Sequence, residues 1–342
     1  MQTPPSLQPG DKIAIIATAR KISQQELQPA FEMFRKWGFD PVYGRNLFRD
    51  DHQFAGSDTE RLEDLQWALD DENITAIICA RGGYGTVRII DQIDFSKFQL
   101  NPKWIIGYSD VTVLHSHIHK QIDIETIHAI MPINFPKDGS ENEALSSLKK
   151  VLNNENIHYT LNTHPLNRKG NAEGILVGGN LSILYSLIGT ASDIDTDGKI
   201  LFLEDLDEYL YHIDRMMMNL KRSGKLANLA GLIVGGMSDM NDNTVPYGKT
   251  AEEIISAMVA AYSYHVCYQF PAGHQIDNRA LILGRNITLN VGETVEVQFV
   301  NANEKPKGIF GTLKKSYGFI LTITAFFVFI YALIKLINYL LG

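Results

Sequence analysis

Cysteine is nearly absent: only Cys79 and Cys267 carry a thiol in 342 residues, so no disulfide framework can hold this chain together. Cys79 falls in the apolar run Ile77-Ile78-Cys79-Ala80, which reads as a buried strand, and both thiols read as reduced and structural. Low-complexity tracts are missing too, and 45% of the residues are hydrophobic, which excludes disordered and fibrous classes. There is no basic excess. With 31 Lys and Arg against 39 Asp and Glu, the net charge is −8, which argues against nucleic acid as a partner. Neither G-x-x-x-x-G-K-[ST] nor G-x-G-x-x-G occurs, so nucleotide binding is poorly supported. The segment from Met1 to Gly10 lacks the basic-then-apolar pattern of an export signal. Metal spacing is weak: His115 and His119 share a helical face, His117 does not, and no Glu sits where a zinc peptidase needs one.

The C-terminal end is where hydrophobicity concentrates. Ser316 to Ile334 is a stretch of 19 residues without a charge. A helix over 318–341 would span roughly 36 Å, enough for a hydrocarbon core of about 30 Å, with Lys335 near one end able to reach the headgroups. Lys305, Lys307, Lys314 and Lys315 precede the run. By the positive-inside rule they hold the body in the cytoplasm. The expectation is a single-pass C-terminal anchor in the inner membrane, with a basic juxtamembrane segment at 304–317 and a transmembrane helix at 318–341.

Upstream, strands and helices alternate. Lys12 to Thr18, Ile74 to Ala80 and Trp104 to Gly107 read as strands. Helices are expected over Gln25 to Trp37, Thr59 to Leu69, Val87 to Ile93, Asp110 to about His119, and Glu141 to Leu152. This alternation indicates an N-terminal α/β domain with a parallel sheet, over 1–155. A polar, turn-rich linker is read at 156–172. Strands (Leu201 to Glu204, Leu229 to Val234, Ile287 to Val291, Thr294 to Phe299) and helices (Tyr209 to Ser223, Thr250 to Ala260) then suggest a smaller α+β domain over 173–303.

Four local patterns could carry chemistry. Trp104-Ile105-Ile106-Gly107-Tyr108-Ser109-Asp110 runs from a strand straight into a helix, as a nucleophile elbow does. The second glycine of G-x-S-x-G is replaced by Val111, and Ser109 or Asp110 could equally be a helix N-cap. Ala80-Arg81-Gly82-Gly83-Tyr84-Gly85 follows a parallel strand, where glycines allow either close ligand approach or a tight turn. Glu204 ends an apolar strand and points to a cleft, whereas Asp207 and Glu208 fit a helix start. Finally, Pro271-Ala272-Gly273-His274-Gln275-Ile276-Asp277-Asn278 is a loop holding one histidine. Ser, Glu and His in this order match nucleophile, orienting acid and base.

These blocks, with Gly178-Gly179-Asn180-Leu181 as a softer fifth, resemble the serine LD-carboxypeptidases, the muramoyl-tetrapeptide carboxypeptidases that include the microcin C immunity peptidases. The resemblance runs from about Leu7 to about Val300. It implies Ser109 as nucleophile, His274 as general base, Glu204 as orienting acid, and an oxyanion hole of the Gly83 and Asp110 N–H groups, with Gly82 the alternative to Gly83. It further implies an active site in the interdomain cleft, a homodimer, and no metal or organic cofactor. The implied activity is removal of the terminal D-Ala from murein tetrapeptides in cytoplasmic cell-wall recycling. Detoxification of a peptidyl-nucleotide antibiotic and a non-catalytic, membrane-tethered binding module are the alternatives. Arg81 is a candidate for holding the substrate's free carboxylate, with a structural ion pair as its plain alternative; Tyr84 is a further candidate substrate contact.

Overall fold

Short apolar runs set the first sheet: β1 (Lys12–Ile16), β2 (Asp40–Tyr43), β3 (Ile74–Cys79), β4 (Trp104–Gly107) and β5 (Thr126–His128). The protein is seen as a computed structural model that describes residues 1–300. All five strands run parallel, and β3 and β4 are buried almost throughout, as a sheet covered on both faces requires.

The second sheet holds β6 (His158–Asn162), β7 (Gly170–Asn180), β8 (Ile200–Leu206), β9 (Gly231–Ser238) and β10 (His265–Cys267). Near the end of the described chain come β11 (Leu281–Leu283), β12 (Asn286–Val291) and β13 (Thr294–Phe299). The strand orders are β11-β5-β4-β3-β1-β2 and β10-β9-β8-β7-β12-β13-β6. Strands β7 to β10 are parallel, while β12, β13 and β6 add antiparallel pairs. Three features depart from the sequence reading. The segment 156–172 contains β6, which pairs with β13. Strand β11, from the second half, closes the edge of the first sheet beside β5. The helix expected over Val87 to Ile93 is instead two 3-10 turns, Thr86–Arg88 and Ile90–Gln92.

Two local devices position the functional region. The register of β8 on β9 shifts between Leu203 and Asp205, so an irregularity falls at Glu204. Past β10 the chain of 270–272 keeps bonding to β9: Phe270 N–H donates to Val234 O at 3.0 Å and Gly236 N–H to Ala272 O at 2.9 Å. The loop carrying His274 then reaches Glu204, whose Oε2 accepts the His274 backbone N–H at 3.2 Å. Across the molecule, Asn180 N–H at the end of β7 donates to Thr112 Oγ1 at 3.0 Å, tying the helix after Ser109 to the second sheet.

The expected fold class is corrected in one respect. Among the described residues no helix is long and apolar enough to cross a membrane. The longest, Gln24–Lys36, Asp58–Asp70 and Leu210–Arg222, have 13 residues each. That is about 20 Å, against a hydrocarbon core of about 30 Å. The expected transmembrane helix at 318–341 and the basic segment at 304–317 lie outside the described residues. The single-pass anchor, the inner-membrane location and the membrane as a partner therefore find no support.

Candidate active site

Ser109 sits where β4 gives way to a helix, and its backbone is in the left-handed region, φ 64°. A non-glycine residue there is strained, and such strain concentrates where function demands it. The turn lifts the side chain into a cavity of about 290 Å³ shared with Arg20, Arg81, Gly82, Gly83 and His274. Gly82 is required by proximity: a Cβ there would lie 2.9 Å from Ser109 Oγ. Asp110 is 1% exposed, and its carboxylate accepts from Thr86 N–H at 2.8 Å and Thr86 Oγ1 at 2.6 Å. Burial raises the pKa of that carboxyl against these donors. Its side chain therefore anchors the turn, and its N–H is one of the helix-start donors without an intrahelical acceptor.

Facing Ser109 across the cavity is an acid–imidazole pair. His274 Nδ1 lies 2.7 Å from Glu204 Oε2, which also accepts the His274 backbone N–H at 3.2 Å. Glu204 is fully buried and its Oε1 has no hydrogen-bond partner. Burial alone would lower the His274 pKa, but the Glu204 charge and hydrogen bond outweigh it and the net shift is upward. With Nδ1 committed to the carboxylate, Nε2 is the nitrogen available as a base. Gly273 makes the approach possible: its φ is +107° and a Cβ would meet Glu204 Cβ at 2.7 Å. No hydrogen bond joins Ser109 to His274 among the described residues; the two share one cavity wall to wall.

Other candidates fall elsewhere. Asp205, beside Glu204, accepts from Asn180 Nδ2, Ser182 N–H and Leu206 N–H, each at 2.9 Å. Burial first, and then the Glu204 charge, push it up to about 7. Glu208 is 2.5 Å from His212 Nδ1, a separate pair. Arg81 borders the cavity, yet its guanidinium also lies 4.0 Å from Glu26 and 3.5 Å from Lys21 O. Tyr84 is 49% exposed and leans on Phe54, outside the cavity wall. Two residues escaped the sequence reading. Arg20, past the C-terminal end of β1, enters the cavity, and the position past a parallel strand was the available signal. Tyr108 is buried with its ring centroid 4.8 Å from that of His274. A larger cavity of about 670 Å³, near Tyr43, Arg45 and Trp67, has no nucleophile–base pair on its wall.

The arrangement offers a strained hydroxyl at a helix start, an imidazole held by a buried carboxylate, glycines that open close approach, and cations at the rim. That is equipment for acyl transfer. Comparison with known proteins agrees. Two family models match, the LD-carboxypeptidase N-terminal domain over residues 13–129 and the LD-carboxypeptidase C-terminal domain over 173–289. A probable murein peptide carboxypeptidase of Bacillus subtilis is 35% identical over 301 residues, 86% of this chain and 93% of that protein. A murein tetrapeptide carboxypeptidase of Pseudomonas aeruginosa is 31% identical over 289 residues, 81% of this chain and 92% of its own. The crystal structure of muramoyltetrapeptide carboxypeptidase from Oxalobacter formigenes aligns with TM-score 0.78 at 26% identity, covering 84% of this chain and 98% of that one.

Proposed function

Because this chain belongs to the LD-carboxypeptidase family of peptidases, we propose that it is a serine LD-carboxypeptidase that removes the terminal D-Ala from murein tetrapeptides. The observation that carries the reading is the 2.7 Å contact between His274 and the fully buried Glu204, in a cavity that also exposes Ser109.

In this reading His274 Nε2 takes the Ser109 hydroxyl proton as Oγ attacks the carbonyl of the penultimate residue. Glu204 stabilises the imidazolium that forms. The backbone N–H groups of Gly83, on the cavity wall, and of Asp110, next in the chain after Ser109, receive the developing oxyanion. Collapse of the tetrahedral intermediate breaks the C–N bond, and the imidazolium protonates the departing amine of D-Ala. Water, deprotonated by the same imidazole, then releases the shortened peptide from Ser109. A fluorophosphonate probe tests the nucleophile: a single adduct mapped to Ser109 by tandem mass spectrometry, with loss of D-Ala release, is expected. An adduct on another residue, or full activity after labelling, would refute the assignment.

A further inference from the structure

Tyr108 directly precedes Ser109 in the chain, and its ring lies against that of His274. The two ring centroids are 4.8 Å apart, with 60° between the planes. Tyr108 is buried, and its hydroxyl donates to Asn134 Oδ1 at 3.1 Å. A second ring braces it: His128, the last residue of β5, packs edge to face on Tyr108 at 5.8 Å and on Phe202 at 5.0 Å. Phe202 lies in β8, two residues before Glu204. Four rings thus run in contact from the strand of the acid to the imidazole of the base.

This row supplies a restraint that the Glu204 contact lacks. A hydrogen bond at Nδ1 fixes one atom of an imidazole and leaves the ring able to turn about it. Turning sweeps Nε2 away from any hydroxyl it must deprotonate. The other bond to Glu204 Oε2 comes from the His274 backbone N–H, and it holds the loop without fixing the ring plane. A flat ring packed on the imidazole restrains that plane, because aromatic pairs prefer defined offset or edge-to-face geometries. Tyr108 is itself held at two places, by its hydroxyl and by His128.

His128 is fully buried, and among the described residues neither of its ring nitrogens has a hydrogen-bond partner. An apolar side chain would fill the same space without that cost, so His128 is read as placed for the site it adjoins and not for the core. Burial, with His115 and His274 nearby, holds its pKa well below the usual histidine range, so it is neutral. Burial also raises the Tyr108 pKa and keeps its hydroxyl protonated. The charges that act on His274 are those of Glu204 and Asp205. Tyr108 and His128 act on the base through contact alone.

We propose that Tyr108 and, behind it, His128 are positioning residues that set the plane of the His274 imidazole and so aim Nε2 at Ser109. The proposal rests on the reading of Ser109 and His274 as nucleophile and base, and adds what holds the second of them in place.

The rate at which a fluorophosphonate labels Ser109 in the full chain reports base-assisted attack with no peptide bound. Tyr108→Leu keeps a buried apolar side chain and removes the ring. Labelling is expected to slow about tenfold or more, as displacement of a base by a fraction of an ångström allows. With a murein tetrapeptide, kcat should fall in step while KM stays within about twofold. Tyr108→Phe, which restores the ring, should recover most of the rate. His128→Leu should slow labelling about threefold and add nothing to Tyr108→Leu, since it acts through that ring. In a His274→Ala background both leucine substitutions should leave the residual labelling rate unchanged, which a general loss of packing would not. If Tyr108→Leu fails to fold, His128→Leu with and without His274 decides alone. Unchanged labelling in either leucine variant, equal slowing with and without His274, or a raised KM at unaltered kcat would each overturn the proposal. With the expected labelling effects but no D-Ala released by the unaltered chain, the peptidase reading would fall and the positioning would stand. No labelling of Ser109 in the unaltered chain would sink both.

Discussion

Glu204 has no access to water, and its contact with the imidazole raises the His274 pKa. The neutral imidazole is the base, and activity should therefore fall as pH drops through the raised His274 pKa. Glu204→Gln removes the charge and leaves burial, which lowers that pKa. The acidic limb of the kcat/KM profile is expected to move to lower pH while the maximal rate falls; a limb that stays put or moves upward would mean that Glu204 does not act on His274. His274→Ala should lose several orders of magnitude, close to the loss for Ser109→Ala. Arg81 stands between cavity and Glu26, so Arg81→Lys is a direct arbiter. Loss of the bidentate fork should raise KM for the tetrapeptide severalfold with little change in kcat; unchanged kinetics would make it a structural ion pair. At this scale the sequence offered candidates where a residue followed an apolar run, as Ser109 and Glu204 do, or a loop glycine, as His274 does. Arg20 was not among them, because a lone Arg in a loop forms no pattern until the chain folds.

Among elements, the loop from Phe270 to Asn278 has the most exacting task, since it must pair with β9 and still bring Gly273 against Glu204. Gly273→Ala places a methyl 2.7 Å from Glu204 Cβ at a φ that L side chains rarely adopt. We expect a stability loss of about 1–3 kcal/mol in urea unfolding and a much larger proportional loss of kcat, because the imidazole is displaced from its acid. Loss of stability with kcat intact would show that the loop does not aim His274. Strong strand–helix alternation made the first sheet readable. Strand β7 escaped because Gly170 to Asn180 holds four glycines, which read as turn, and β6 escaped because polar residues on an antiparallel edge read as linker. Val87 to Ile93 has helical apolar spacing, yet Thr86 is pinned by Asp110 and the segment closes into 3-10 turns.

At the scale of the molecule, the two sheets are stitched by β11 against β5 and by a buried ion pair, Arg285 Nη2 to Glu125 Oε2 at 2.6 Å. Residues 1–300 form one unit by internal contacts, and every candidate site residue lies within it. A chain ending at Asn303 is therefore expected to keep kcat and KM within about twofold of the full chain; an inactive truncated chain would mean that the site depends on 304–342. The sequence hinted at two α/β halves but not at a strand returned from the second to the first, since Leu281 to Leu283 is too short to declare its partner. The central claim is a serine peptidase acting on a terminal D-residue. Its most direct test is incubation of the purified full-length chain with a murein tetrapeptide, with D-Ala and tripeptide followed by mass spectrometry beside Ser109→Ala. Stoichiometric D-Ala and tripeptide are expected from the unaltered chain, and less than about a tenth of that rate from the variant. Intact tetrapeptide with the unaltered chain, or equal release by both, would contradict it.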